Sequence, residues 1–346
     1  MTATVMTVLG PVPATELGVV TPHEHLLVKL YTWPEQHDHP RFGERVTMAN
    51  LGWVRQHWSM TADNTRLTSE ALAIAELVRY KAAGGGTIVD LTQDGIGRSP
   101  KALARISEAS GVHIVMGSGG YIGPTHPEWI RTASVDELAR AFVREAREGV
   151  RGRRGGGIRP GIIGELGCSW PLEPAEARVL DAGARAQQET GLAISIHPGR
   201  DRTAPFEIVD RLEAAGADLS RVVIGHLDRT LQDLPGLIEL GRRGVVLEFD
   251  LFGLETSYYP WSGVRAGLSD AQRLDLVRGL IDAGLGRQVV MAHDICTKHR
   301  LARYGGHGYD HIVSNVVPWM RTLGFTELEI HDLTVANPAR LLAGAA

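Results

Sequence analysis

A chain of 346 residues, 43% hydrophobic and 22% charged, has an ordinary globular composition and enough length to bury a large core. Its 36 basic and 40 acidic residues leave a formal charge of −4, without the basic excess that a nucleic-acid binder shows. Two cysteines, Cys168 and Cys296, form neither a zinc-ribbon spacing nor a disulfide framework, and no run reaches the ~18 apolar residues that a membrane span requires. Residues 1–10 lack the basic start and long apolar run of a signal peptide. The expectation is therefore a cytoplasmic protein, one domain over 1–346, acting on a small-molecule substrate. The sequence allows a homodimer and points to neither nucleic acid nor a membrane as a partner.

Taken in chain order, the first strand is expected over 18–25 and the first helix over 69–83. The intervening segment, 29–68, is far longer than the usual ~2–6-residue βα loop. It carries Tyr31, Trp33, Trp53 and Trp58, and reads as a lid over the end of the fold. Strands then alternate with helices: 86–92 with 99–109, 112–118 with 134–149, 161–166 with 174–190, and 192–197 with 205–215. The pattern continues with 221–226 and 235–242, 244–250 and 269–283, and 287–294 and 309–323. Prolines at helix starts and glycines after helix ends, at Gly84, Gly191, Gly216 and Gly284, punctuate these units. The glycine-rich 152–157 reads as a turn inside the domain.

Strand–helix alternation requires parallel pairing with crossover helices. Near-continuous apolar strands such as Ile88-Val89-Asp90-Leu91 suit a sheet covered on both faces. A single closed (β/α)8 barrel, a TIM barrel with a lid-like loop after strand one, is the simplest architecture, and a doubly wound open sheet is the alternative.

His23 and His25 lie two apart at the end of the first strand, so both side chains can face one side while Glu24 faces the other. Two ordinary loop histidines would explain that pair equally well on its own. Glu165, His197, His226 and Asp294 then end strands four, five, six and eight. Such groups cannot fill a core unless paired or metal-bound, and barrel enzymes place their chemistry at this face. Imidazole and carboxylate without cysteine suit zinc first, with manganese or cobalt as alternatives. A closed structural site needs only four donors, whereas six shared by two ions leave positions open. His293, in contrast, is expected to face the helix layer, and Cys296 to be a packed thiol. His37, His39, His57 and His331 read as exposed or lid residues, and Asp90 and Arg98 as structural groups at the end of strand two.

Further motifs surround these residues: Gly10-Pro11, Glu16-Leu17-Gly18, Thr21-Pro22-His23-Glu24-His25-Leu26, Asp90-Leu91-Thr92, Gly225-His226-Leu227-Asp228-Arg229-Thr230, His293-Asp294-Ile295, Lys298-His299-Arg300 and Tyr304-Gly305-Gly306-His307-Gly308-Tyr309. Together they resemble the phosphotriesterase-related family of the amidohydrolase superfamily, with its bacterial lactonase and mammalian-type branches, over nearly the whole chain. The resemblance implies a binuclear centre. His23, His25 and Asp294 would hold the more buried ion, His197 and His226 the more exposed one, and the residue ending strand four would bridge them. In phosphotriesterase proper that bridge is a carbamylated lysine; Glu165 stands there in this chain, whose only lysines are Lys29, Lys81, Lys101 and Lys298.

The chemistry this implies is hydrolysis by a metal-bridging hydroxide, two ions bringing the pKa of water from about 15.7 toward neutrality. Asp294 is the expected proton acceptor. Asp228 is read as orienting His226 or joining a relay, with an N-cap before Thr230 as its structural alternative. Arg229, Lys298, Arg300 and Tyr304 are the expected substrate-binding residues, although a solvated loop with locally paired charges also fits 295–308. The favoured substrate is a lactone or carboxylic ester bearing an anionic group, followed by an N-acyl amide and then a phosphotriester. Phosphotriesters rank last because Arg229 replaces a second acid and strand seven ends Glu248-Phe249-Asp250 without a histidine. A noncatalytic metal-containing binding protein on the same fold is the competing class. A nicotinamide-binding fold is disfavoured because no GxGxxG follows the first strand.

Overall fold

A computed structural model of the protein describes residues 3–30, 38–150, 157–255 and 267–344. Eight strands lie side by side in chain order: β1 (Val19–Glu24), β2 (Gly85–Asp90), β3 (His113–Ser118), β4 (Ile162–Gly167), β5 (Ile194–His197), β6 (Val222–Ile224), β7 (Val246–Phe249) and β8 (Val289–Met291). Every pair from β1–β2 to β7–β8 is parallel. Helices connect them, including Glu70–Ala82, Pro100–Ser110, Val135–Glu148, Pro174–Thr190, Ala204–Ala214, Leu234–Arg242 and Asp270–Asp282. This is the (β/α)8 barrel.

Period-two alternation explains its two apolar layers. Val20, Val89, Val115, Ile162, Val223, Val246 and Val290 fill the interior, while Ile88, Ile114, Ile163, Ile194, Ile224 and Leu247 pack beneath the helices. An antiparallel hairpin, Thr4–Thr7 with Gly10–Pro13, adds Val5 to the interior cluster, and the C-terminal helix Asn337–Leu342 adds Leu341 and Leu342. Neither element was expected from the sequence.

The seam between β8 and β1 is joined differently from the other strand pairs. Asp294 donates its N–H to the His23 carbonyl at 3.0 Å. The buried Glu24 carboxylate accepts the N–H groups of His293 and Ile295 at 2.9 and 3.0 Å, and lies 2.6 Å from His293 Nδ1. A side chain thus supplies acceptors that a strand backbone would otherwise provide.

Two bulges set the site. From Thr21↔Ile88 to Glu24↔Asp90, β1 advances three residues while β2 advances two; from Ile163↔Ile194 to Leu166↔Ile196, β4 does the same against β5. Each extra residue reverses the strict alternation beyond it. In β1, Glu24 goes to the seam; in β4, Glu165 comes to lie among His23, His25 and His197. β6 and β8 end earlier than expected because His226 and Asp294 are left-handed, with φ of 52° and 50°, the only non-glycine residues of positive φ among those described.

Within 29–68, residues 31–37 lie outside the described residues, including Tyr31, Trp33 and His37. Trp58 reaches the pocket, while Trp53 packs with Val46, Leu51 and Val54 and stacks on His57 with ring centroids 4.5 Å apart. No described helix is long and apolar enough to cross a membrane.

Candidate metal centre and substrate pocket

The six donors expected from the sequence meet at the carboxyl ends of the strands. Glu165 is their hub: Oε1 lies 3.3 Å from His25 Nε2, while Oε2 lies 3.5 Å from His23 Nε2, 3.1 Å from His197 Nδ1 and 3.6 Å from His226 Nε2. Asp294 Oδ1 sits 3.3 Å from His25 Nε2. Donor atoms of His23, His25 and Asp294 lie within 4.8 Å of one another, as do those of His23, Glu165 and His226. Five of these side chains are buried, and Asp294 is partly open to the pocket.

These residues fit divalent cations. His23 Nε2 is fully buried without a hydrogen-bond partner among the described residues, which would be costly unless it donates its lone pair to an ion. Electrostatics agree. Burial opposes charging His25, yet Asp294 and Glu165 outweigh it and hold the imidazole up at about 10. Burial likewise opposes charging His23, and Glu248 and Glu165 raise it nevertheless. Burial pushes Glu165 upward, but the surrounding imidazoles, His23 foremost, hold it well below the ordinary carboxylate range. The cluster thus carries a negative potential that draws protons onto His23 and His25, while burial and the neighbouring His226 hold His197 well below the ordinary imidazole range; the same potential favours a cation that displaces those protons.

Beyond the donors lies a layer the sequence reading did not assign. His23 Nδ1 is 2.9 Å from Glu248 Oε2, His25 Nδ1 is 2.9 Å from Thr92 Oγ1, and His226 Nδ1 is 2.7 Å from Asp250 Oδ1. Each contact turns Nε2 toward the centre. Their signal was present in β7: Val246, Glu248 and Asp250 fall on one face at period two, the rule that singled out His23 and His25. Gly225 makes room for them, since a Cβ there would stand 3.1 Å from both Asp250 Oδ2 and Glu248 Oε2.

Asp228 requires a correction. It neither touches the His226 ring nor caps the helix Leu227–Thr230, whose N-cap is His226 itself. Its Oδ2 accepts from Arg273 Nε at 2.7 Å and from the Leu251 N–H at 2.9 Å, so it anchors the loop after β7. Asp250 holds the place expected of Asp228.

The pocket in front of the donors is lined by Leu30, Trp58, Ile96, Tyr121, Arg200, Arg229, Leu251, Leu254, Cys296, Thr297, His299 and Arg300. Of the expected substrate-binding residues, Arg229 is buried in its wall, with Nη2 3.3 Å from His197 Nε2 and 3.2 Å from the Pro198 carbonyl. Arg300 also lines it, but its guanidinium clamps the end of β8, donating to the carbonyls of Asp294, at 2.6 Å, and His293. Lys298 and Tyr304 do not line the pocket: Lys298 pairs with Asp63 and lies over the Tyr304 ring. The locally paired loop describes that pair. Arg200, three residues after His197, was not singled out from sequence. Cys296 contributes to the lining, with burial pushing its thiol up. His293 is structural, its Nε2 accepting the Ile312 N–H at 3.1 Å. Asp90 and Arg98 are structural with separate partners, Asp90 holding the Leu26 N–H and Arg98 pairing with Glu145.

An eight-stranded barrel with imidazoles and carboxylates gathered at its carboxyl face, around a buried central carboxylate, defines a metal-dependent hydrolase class. The chain belongs to the phosphotriesterase family, whose model matches residues 3–342. That family is binuclear metal-dependent, and the donors present here fit it. The chain is 41% identical over 342 residues to the N-acetyltaurine hydrolase of Homo sapiens, covering 98% of this chain and 97% of the relative. Among solved structures it resembles a resiniferatoxin-binding protein from Rhodobacter sphaeroides, with a TM-score of 0.92 and 35% identity over 98% of this chain and 95% of the other. It also resembles a mutant PTE-like lactonase from Deinococcus radiodurans, with a TM-score of 0.74 and 27% identity over 98% and 99% of the two chains.

Proposed function

We propose that this protein hydrolyses an N-acyl amide whose amine portion carries a sulfonate or carboxylate. The six donors hold two divalent ions, zinc being the first candidate. The single observation that carries the substrate class is the pair of guanidiniums, Arg200 and Arg229, lining the same pocket as Glu165, His197 and Asp294. The N-acetyltaurine hydrolase relative supports an anionic amide over the ester or lactone favoured from sequence.

When bound, the two ions would supply Lewis-acid polarisation of the carbonyl and a water nucleophilic at neutral pH. The remaining work falls to side chains. Arg200 and Arg229 hold the anion and so fix the distance from the amide to the donors. Asp294, at the pocket edge, takes a proton from the attacking water and delivers it to the amide nitrogen, a step an amide needs because an unprotonated amine leaves poorly. Arg300 holds the backbone that presents Asp294. Trp58, Leu251 and Leu254 give the lining an apolar part that limits water around the scissile bond. A lactone or ester presents the same carbonyl, and the likeness to the lactonase supports such hydrolysis as a side activity.

The test compares kcat/KM for N-acetyltaurine, N-ethylacetamide and a small lactone with metal-loaded enzyme. One charge-assisted contact is worth ~1.5–3 kcal/mol, so the anionic amide should exceed its neutral analogue by roughly 10–150-fold. Arg229→Ala and Arg200→Ala should each reduce that ratio, and Lys298→Ala should leave it unchanged. Equal values for anionic and neutral amides in the wild type would reject the reading. Absence of turnover with every substrate would favour the noncatalytic binding protein.

A further inference from the structure

Asp250 stands at an unusual position in the layer behind the donors. Its Oδ1 lies 2.7 Å from His226 Nδ1, and its Oδ2 accepts the His226 N–H at 2.7 Å while lying 3.3 Å from His23 Nδ1. The carboxylate is fully buried, and its ion pairs among the described residues are with these two imidazoles. His23 and His226 belong to different metal positions in the binuclear reading, and their rings lie 4.8 Å apart. Glu248 differs: its Oε2 contacts His23 Nδ1 at 2.9 Å. The local backbone is shaped around Asp250. Gly225 leaves its carboxylate room, and the left-handed turn at His226 brings both the ring and the N–H of that residue onto it.

We infer that Asp250 is a positioning residue that couples the two metal positions, one carboxylate orienting an imidazole donor of each. Fixing one end of this bridge fixes the other. An ion on His226 immobilises that ring, the ring holds Oδ1 of Asp250, and the planar carboxylate, whose Oδ2 accepts the His226 N–H, is fixed as a unit. Oδ2 then stands 3.3 Å from His23 Nδ1, beside the Glu248 hydrogen bond, and fixes the charge that keeps Nε2 of that ring facing the centre. The second ion therefore meets a donor already ordered, and less conformational freedom remains to be lost. The two ions should bind and leave together. Glu248 adds affinity through His23 but no link, since it touches one imidazole. This inference rests on the two-ion reading of the site and is independent of the substrate.

Cobalt(II) provides the probe. The cobalt-loaded enzyme is titrated with a chelator, the visible absorption of the bound ions is followed, and the remaining cobalt per chain is measured by elemental analysis. The expected wild-type result is a single step from two ions to none, with no one-ion species accumulating. Asp250→Asn should split the release into two steps and lower affinity by 10–100-fold, the usual effect of losing a partner of a metal ligand. Glu248→Gln should lower affinity yet keep one step, which separates coupling from general weakening. Circular dichroism checks that each variant folds. If Asp250→Asn does not fold, Asp250→Ser, smaller and still able to accept the His226 N–H but too short to reach both imidazoles, should split the step instead. Two independent steps in the wild type, or an unsplit step in a folded Asp250→Asn, would overturn the coupling. A wild-type protein that binds no cobalt would overturn the two-ion reading itself, a result distinct from both.

Discussion

At the scale of single residues, one imidazole of the pocket wall is kept neutral by its surroundings. His299 lies in the pocket wall, its Nδ1 next to the Asn64 side chain and its backbone N–H donating to Asn64 Oδ1 at 2.9 Å. Burial, with Arg300 adding to it, pushes this imidazole down to about 3. The folded protein therefore declines a proton that the unfolded chain accepts from about pH 6.5 downward. Stability is lost as pH falls from 6.5 toward 3, by up to about 1.4 kcal/mol per unit. His299→Asn removes this penalty. Urea unfolding at pH 7.5 and 5.5 should show the wild type's advantage over the variant shrinking by about 1.4 kcal/mol at the lower pH. An advantage that does not change with pH would show that the ring is not held neutral by the fold.

At the scale of elements, the bulge in β4 is the feature on which the place of Glu165 among the imidazoles depends. Gly164 precedes Glu165 with a φ of 120°, and a Cβ there would lie 2.3 Å from the Ser195 carbonyl oxygen. Only glycine satisfies both conditions. Gly164→Ala should either flatten the bulge or push β5 away, at a cost of at least about 1–3 kcal/mol from backbone strain alone. Either response misplaces Glu165 among His23, His25 and His197. We expect the variant to retain barrel circular dichroism, melt at lower temperature and hold less than half the wild-type metal per chain. A variant with normal metal content would mean that the bulge does not set the place of Glu165 in the donor cluster.

At the scale of the whole molecule, the barrel closes through Glu24. Its carboxylate accepts from His293 and Ile295 backbone N–H groups and bonds the His293 ring, which in turn accepts from Ile312 at the start of the last barrel helix region. Glu24→Gln keeps the size but replaces one acceptor oxygen with a donor, so at least one buried N–H loses its partner. The expected cost is about 1–3 kcal/mol in denaturant unfolding. Because Asp294 follows His293 directly, metal affinity should fall alongside stability. Unchanged stability would mean that the other seven strand pairings hold the barrel without this seam.

The sequence by itself determined the architecture and the donor set. Strand–helix alternation is a local pattern, and a histidine or carboxylate ending an apolar strand is recognisable without knowing what lies across the barrel. Only the tertiary structure decided what those donors face. Asp228 and Asp250 both lie close in sequence to a strand end, but Asp228 turns to Arg273, 45 residues on, while Asp250 reaches His226, 24 residues back, and His23. Lys298 and Arg229 are both cations after a strand. One finds Asp63 on the segment before the first barrel helix, and the other is buried beside His197. Alternation also failed at the two bulges, where a single extra residue reverses facing. The physical reason is common to these cases: periodicity assigns a side chain to a face from its own strand, whereas partner, depth and charge are set by groups that only chain folding brings within hydrogen-bond distance.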